Sequence, residues 1–274
     1  MRRLLTLLSL VLVLAVTSLY GILGRVESES YEEIERSKIN AIWLPDDFVQ
    51  EIAGLANWYN VYQDIKVETL SDLEEVSEYI FVVKVSTKEQ WDNTIYTLAE
   101  ITKVLKDESG LHKPKDSISF MQMNYISKYD ERYLLFIMSP IMTTKYNEEY
   151  VVFLNRIPEY RDIFRTATIC SSIIPLKKQI EVIRVTVEAV DYIGRVKNGI
   201  FDYYQLKNCD FLWLEYQGWN KYLDDFLNPE EAELMKKANA IMSRYFEIYE
   251  EITEAVYRNL GSEPVFNVID YMVD

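Results

Sequence analysis

The amino-terminal part of the chain contains a run of 20 residues without a charge, from Leu4 to Leu23. These 20 residues would form a helix about 30 Å long, which matches the hydrocarbon core of a bilayer. A core helix of a soluble domain usually carries charged side chains on its outer face. The pattern therefore predicts a membrane-spanning helix, with the membrane as the partner of Leu4–Leu23.

The charges on either side of this run predict its direction. Arg2 and Arg3 precede it, and glutamates dominate the polar stretch that follows Arg25. Because basic flanks stay in the cytoplasm, we expect the carboxyl-terminal bulk outside. The predicted parts are a signal-anchor or transmembrane segment (1–25), a polar juxtamembrane stalk (26–44) and an extracytoplasmic domain (45–274). The small residues Val16-Thr17-Ser18 also fit signal cleavage, which would make the protein secreted.

Between residues 79 and 155 the apolar positions form short runs that are rich in β-branched and aromatic side chains. Each run is typical of a strand, and turn-like residues separate them. The runs are 79–85, 95–104, 118–123, 133–138 and 150–154. The connections are too short for helical crossovers, so the pattern predicts an antiparallel β-barrel or sandwich.

Helical patterns flank this β core. Pro45 and the two aspartates after it predict a helix near residue 50, and Ser71-Asp72-Leu73-Glu74 has the form of a capping box that begins a short helix. Asn228, Pro229 and Gly261 are suited to begin and end a long helix over about 229–260. We therefore expect an α+β fold with an N-terminal transmembrane helix, an antiparallel core and flanking helices that include a long C-terminal one.

The stretch between Pro175 and Asn198 fits two structures. Ile180, Ile183 and Val187 lie at helical spacing, but apolar residues also alternate with polar ones from Ile183 onward. The many β-branched side chains favour a strand.

The charge and the rare residue types exclude several functions. The net charge is -15, from 29 basic and 44 acidic residues, so phosphate backbones would be repelled and no nucleic acid is expected. The 8 glycines stand alone, and neither a phosphate-binding loop nor a dinucleotide-binding motif can be drawn. We expect no cofactor.

The sequence also predicts no catalytic residue and no metal ligand. The single histidine, His112, lies among lysines and a proline that are typical of a solvated loop, and Gly-x-Ser-x-Gly is absent. One histidine and two distant cysteines do not suit a zinc site. Cys170 and Cys209 could form a disulfide outside the cell or stay as buried thiols, and their spacing does not decide this.

Aromatic residues supply the remaining functional hypothesis. The chain has 21 tyrosines and 5 tryptophans, and several are concentrated between 211 and 222. Aromatic rings with polar neighbours can stack on sugars or clasp a peptide, although they are also common in cores. The candidate surface for a protein or glycan partner consists of Trp213, Tyr216, Trp219 and Tyr222.

Four segments of the β pattern together carry a resemblance to other proteins. The runs are Val82-Val-Lys-Val85, Ile95-Tyr-Thr97 ending in Lys103-Val-Leu-Lys106, Asp116-Ser-Ile-Ser-Phe120 and Glu131 to Ile137. This part resembles a small antiparallel β-domain of uncharacterised membrane-anchored or secreted Gram-positive bacterial proteins, in which glycine often stands where this chain has Asp107. The resemblance implies a bacterial surface protein and transfers no catalytic residue.

The sequence therefore predicts a membrane-anchored, extracytoplasmic binding or assembly module without catalytic activity. One alternative is a secreted hydrolase that uses two carboxylates on cell-wall glycan, because 44 acidic residues offer many possible pairs. Another is a ligand-sensing accessory subunit of a membrane protein. The discriminating feature of a hydrolase would be two carboxyl groups about 5–10 Å apart in one cleft.

Overall fold

The computed structural model describes residues 39–43, 67–91, 94–122, 124–129, 132–136, 141–168, 171–187, 208–216 and 229–272. The predicted Leu4–Leu23 helix and the predicted helix near residue 50 lie outside these residues. Within them, no helix combines the length and the apolar character needed to cross a membrane.

The described part of the chain is mainly β structure with two helices. The strands are β1 (Ile39–Trp43), β2 (Tyr79–Trp91), β3 (Thr94–Asp107), β4 (Ser117–Gln122), β5 (Tyr125–Tyr129), β6 (Arg132–Phe136), β7 (Glu149–Arg156), β8 (Ile163–Thr166), β9 (Ile173–Pro175), β10 (Ile180–Val187), β11 (Phe211–Tyr216) and β12 (Phe266–Met272). The helices are α1 (Leu70–Val76) and α2 (Pro229–Asn259).

Five strands close into a small barrel in the order β2-β3-β4-β8-β7-β2, and β9 extends it beside β7. Four of the five pairings are antiparallel, and β4 and β8 run parallel. Counted along the chain, the barrel order is 1-2-3-5-4-1 with its third and fifth strands parallel. The described strands therefore form a small closed five-stranded barrel with one parallel pair.

Alternation along the strands fills the barrel. Side chains from all five strands are almost fully inaccessible, and they are Phe81, Val83, Val85, Ile95, Ala99, Ile101, Ile118, Phe120, Val152, Leu154 and Phe164. β3 and β4 alternate between buried and more exposed positions, as in strands with one buried face, whereas β7 and the first half of β2 are buried on both faces. The predicted barrel-or-sandwich core is therefore a barrel.

Two details of the predicted β core are wrong. The predicted strand at 133–138 is β6, and it lies outside the barrel in a three-stranded sheet of order β1-β6-β5. Its place is taken by β8, which the sequence pattern did not predict because Ile163–Thr166 is too short to show alternation. The pairing is also not purely antiparallel, since β1 runs parallel to β6 and β4 to β8.

A second three-stranded sheet, of order β11-β10-β12, is wholly parallel. The predicted strand after Pro175 is present as β10, the central strand of this sheet. α2 joins β11 to β12, and its Phe246 and Tyr249 rings pack on Phe211 with centroids 5.5 and 4.7 Å apart. One continuous core connects this sheet with the barrel.

The short helix α1 begins two residues earlier than the predicted capping box. Thr69 is the N-cap, and its side chain accepts a hydrogen bond from the Asp72 backbone N–H at 3.3 Å. The Asp72 carboxylate accepts in return from the Thr69 N–H at 2.9 Å. α1, β2, β3, β7 and the end of α2 border an open groove of about 600 Å³.

Candidate functional site

The outer surface of β3 and β4 is the part of the barrel that presents aromatic and apolar side chains to solvent. Ile95, Thr97 and Ala99 are buried inside, so strand alternation turns Tyr96 and Leu98 outward. Leu98 is 40% exposed although it lies in the middle of a strand.

β4 extends this surface on one side. In the pairing of the two strands, Tyr96 lies beside Met121 and Leu98 beside Ser119. Met121 and Ser119 are half-buried, because Phe120 between them points into the barrel. The result is a sheet surface of mixed apolar and hydroxyl groups.

Trp91 completes this surface at the end of β2. Its side chain is 63% exposed, and its ring lies 5.3 Å from the Tyr96 ring with an interplanar angle of 46°. We call Trp91, Tyr96, Leu98, Ser119 and Met121 the β3–β4 face. Exposed tryptophan is unusual, since burial of its large ring is favourable, and such residues are enriched at binding surfaces.

Behind the β3–β4 face, a buried polar network joins its strands to the segment that precedes β7. The Gln122 side-chain amide donates to the hydroxyls of Thr97, at 2.5 Å, and Thr144, at 2.7 Å. Lys88 Nζ donates to the Thr144 carbonyl at 2.6 Å and lies 4.6 Å from the centre of the Tyr146 ring. A network of this kind fixes the strands in one register and makes the outer face a rigid platform.

The predicted partner surface near residue 213 has a different environment. Trp213 is half-buried on β11, and the Phe246 ring of α2 stacks on it at 4.8 Å with an angle of 26°. The Arg184 guanidinium lies 5.3 Å from the centre of the Trp213 ring and pairs with Asp270 at 2.6 Å. These contacts give Trp213 a packing role between α2 and the parallel sheet.

Of the other three residues of that predicted surface, Tyr216 is the last residue of β11. Trp219 and Tyr222 lie outside the described residues. The hypothesis that these residues bind a partner stays a prediction.

His112 lies in the expected loop between β3 and β4, but its side chain is not solvated. It is 8% exposed, and its ring lies 5.4–5.6 Å from those of Tyr79, Phe81 and Phe164. The prediction of a solvated histidine is therefore wrong, because the aromatic residues of the barrel end cover it.

A serine and an aspartate accompany His112, yet the geometry is not that of a catalytic triad. Ser109 Oγ donates to Asp107 at 2.6 Å, and His112 Nδ1 lies 3.2 Å from the same carboxylate. In a triad the serine and the aspartate meet opposite ring nitrogens, so that the serine proton can pass to the histidine. Here the Ser109 and His112 side chains both contact Asp107, and these contacts stabilise the loop.

Buried charged groups form a second cluster between the barrel and the parallel sheet. Asp210, which is 4% exposed, lies 2.9 Å from Lys145 Nζ and 2.6 Å from Lys177 Nζ. Burial opposes protonation of Lys177, but its hydrogen bond to Asp210 outweighs this and raises its pKa. Burial lowers the pKa of Lys145 in spite of the same carboxylate.

No group of three or more metal-ligating side chains is found among the described residues. Cys209 is a free, buried thiol that donates to the Phe211 carbonyl at 3.0 Å, and burial raises its pKa to about 12. Such a thiol is a poor nucleophile and a poor metal ligand at neutral pH. Cys170 lies outside the described residues.

No protein-family model and no curated protein matches this chain. Sequence analysis missed Trp91 because a single tryptophan before a turn shows no local pattern. The one available signal was its position between two strands, at the tip of a hairpin.

Proposed function

We propose that this protein is a non-enzymatic binding module on the extracytoplasmic side of a membrane, and that its β3–β4 face binds glycan. The observation that carries the proposal is the exposed Trp91 ring, 5.3 Å from Tyr96, on the outer surface of a barrel. Aromatic faces stack on the C–H faces of sugar rings, and hydroxyl groups such as that of Ser119 suit their polar edges.

The barrel topology favours glycan over other polymers. β3 and β4 are each paired on both sides along this face, so an incoming peptide strand finds no free backbone there. The net charge of -15 disfavours nucleic acid. By analogy with OB-fold barrels, which are also five-stranded and bind oligonucleotides and oligosaccharides on the face of their second and third strands, a sugar polymer is the ligand that fits both constraints.

A binding experiment with one substitution tests this proposal. The full chain in detergent is mixed with insoluble peptidoglycan and, separately, with soluble N-acetylglucosamine oligomers, and the bound fraction is measured. Trp91→Ala should weaken binding roughly fivefold to tenfold, since a lost aromatic stacking contact costs about 1–1.4 kcal/mol. Trp91→Phe should retain part of the affinity.

Leu111→Ala is the matched control, because Leu111 is 62% exposed in the loop before β4 and lies outside the β3–β4 face. Equal binding by the wild type and Trp91→Ala would rule out the face as the glycan site. Release of new reducing ends from either glycan would instead support the hydrolase alternative.

The proposed location needs a separate test. With Leu4–Leu23 as an outward-directing anchor, protease added to intact cells that express the full chain should remove a carboxyl-terminal epitope tag. A tag that is cleaved only after the cells are lysed would contradict the proposed orientation. Recovery of the chain in the soluble cytosolic fraction would contradict the anchor itself.

A further inference from the structure

The β3–β4 face continues onto β8, the strand that closes the barrel. β8 runs parallel to β4, and this pairing places Arg165 beside Met121, which itself lies beside Tyr96. Phe164 is buried inside the barrel, so strand alternation turns Arg165 to the outer surface, where it is exposed. A cation therefore lies on the same side of the barrel wall as the aromatic residues of the proposed glycan site.

Glu89 lies at the opposite end of the same row of side chains. It is the neighbour of Tyr96 on β2 and is exposed. The row crosses the barrel wall from β2 to β8 and consists of Glu89, Tyr96, Met121 and Arg165. Adjacent strands are about 4.8 Å apart, so two strand spacings, or roughly 10 Å, separate Tyr96 from Arg165. One end of the row is acidic, its centre is aromatic and apolar, and its other end is basic.

The neighbouring row carries no charge. It consists of Thr87, Leu98, Ser119 and Ile163. Within these two rows, the Arg165 guanidinium is the group that can bind an anion, and a guanidinium matches a carboxylate with two parallel hydrogen bonds. Glu89 would repel a carboxylate at the other end, so the charges of the row favour one orientation of an acidic ligand.

We propose that this surface selects glycan whose sugar units carry a carboxylate, and that Arg165 binds that group. The inference rests on the proposed function, because it needs a sugar ring stacked on Trp91 and Tyr96. The next sugar along the row then lies over Met121, with its carboxylate directed to Arg165. The net charge of -15 opposes the binding of anions in general, so a preference for an acidic sugar has to come from this local contact.

A matched pair of ligands tests the preference. The disaccharide of N-acetylglucosamine and N-acetylmuramic acid is prepared as the free acid and as its amide, which differ by one charge. Binding of each to the full chain in detergent is measured by isothermal titration calorimetry at low and high salt. The wild type should bind the acid about fivefold more tightly, as expected for a well-oriented exposed ion pair. The difference should shrink at high salt, because salt screens the charges.

Substitutions of Arg165 test its assigned role. Arg165→Gln should bind the acid and the amide with equal affinity, and Arg165→Lys should keep part of the preference, because it retains the charge without the planar guanidinium. Arg161→Gln is the matched control, since it makes the same change of charge at a 74% exposed side chain that precedes β8. It should keep the full preference of the wild type. Urea unfolding checks that the three variants are folded.

Trp91→Ala separates this inference from the proposed function. It should weaken binding of the acid and the amide by the same factor, because ring stacking does not depend on the carboxylate. If it does so while the wild type binds acid and amide equally, the glycan site stands and the role of Arg165 is wrong. A preference for the acid that survives in Arg165→Gln, or that Arg161→Gln also abolishes, would overturn that role as well. Binding of neither disaccharide would overturn both proposals.

Discussion

At the scale of single residues, the loop between β3 and β4 is organised by one carboxylate. Asp107 accepts hydrogen bonds from the Ser109 N–H at 2.9 Å and the His112 N–H at 2.8 Å, in addition to the Ser109 hydroxyl. Burial raises the pKa of Asp107, but these hydrogen bonds outweigh it and lower the pKa to about 2. Asp107 is therefore a structural centre of this loop.

This pKa gives a pH-dependent stability with a definite sign. The folded pKa lies below the ordinary value of 3.8, so ionised Asp107 stabilises the fold above about pH 4, and this contribution is lost as the pH falls towards 2. Asp107→Asn should lower the free energy of unfolding at pH 6 by about 1–3 kcal/mol. Its difference from the wild type, measured by urea unfolding at several pH values, should shrink towards pH 2.

Glu108→Gln provides the control for this experiment, because the neighbouring Glu108 is 55% exposed and pairs only at the surface with Lys106. We expect little change in stability from it at any pH. A constant difference between wild type and Asp107→Asn from pH 6 to pH 2 would contradict the assigned role of the carboxylate.

At the scale of elements, the sequence pattern placed the N-cap of α1 at Ser71, whereas the structure has it at Thr69. Ser71 and Glu74 have the spacing of a capping box, but Leu73 and Val76 must face the core, and the helix that achieves this begins at Leu70. Thr69 is then the N-cap and Asp72 its partner. Packing, rather than the local motif, selected between two overlapping boxes.

The two boxes predict different mutational effects. Thr69→Ala should destabilise the protein by about 1 kcal/mol, because it removes the side chain that caps α1. Ser71→Ala should change the stability by less than half of that, since Ser71 lies inside the first turn. Urea unfolding of both variants measures these effects. A larger loss of the free energy of unfolding from Ser71→Ala than from Thr69→Ala would support the capping box predicted from the sequence.

At the scale of the whole molecule, the barrel and the parallel sheet are joined by Asp210. Lys145 comes from the segment before β7, Lys177 from the segment before β10, and Asp210 itself immediately precedes β11. The Asp210 carboxylate also accepts from the Glu181 N–H at 2.8 Å. One buried side chain therefore orients three connections that are distant in sequence.

Neutralising this carboxylate should weaken the junction. Asp210→Asn leaves two partly buried ammonium groups without a counter-charge, and we expect a loss of about 3 kcal/mol or more in the free energy of unfolding. Asp270→Asn, at a surface pair with Arg184, is the control and should have little effect. If the two substitutions have equal effects in urea unfolding, the junction does not depend on Asp210.

Much of the β structure was predictable because each strand of the barrel except β8 shows its own alternation or apolar run. β2, β3, β4 and β7 all lie at predicted runs, and β10 was favoured as a strand by its β-branched residues. What could not be predicted is the partner of each strand. β6 resembles a barrel strand in its composition, yet it pairs with β1 and β5.

The candidate site was less predictable than the fold. The concentration of aromatic residues between 211 and 222 predicted Trp213 as part of a binding surface. In the structure its ring stacks on Phe246 at 4.8 Å and contributes to packing. Trp91 has few aromatic residues near it in sequence, and its exposure follows only from the hairpin position at the end of β2. Local composition does not reveal which aromatic rings a fold covers.

The sequence by itself determined the quantities that depend on one residue or one short segment: the charge of -15, the uncharged Leu4–Leu23 run and the positions of β2, β3, β4, β6, β7 and β10. Hydrophobic periodicity is a property of a short segment, so it can be recognised in the sequence without knowledge of the fold. Tertiary structure decided the closure of the barrel through β8, the parallel pairing of β10 with β11 and β12, and the exposure of Trp91. These depend on which distant segments meet, and the free energy of that choice comes from burial shared across the whole core.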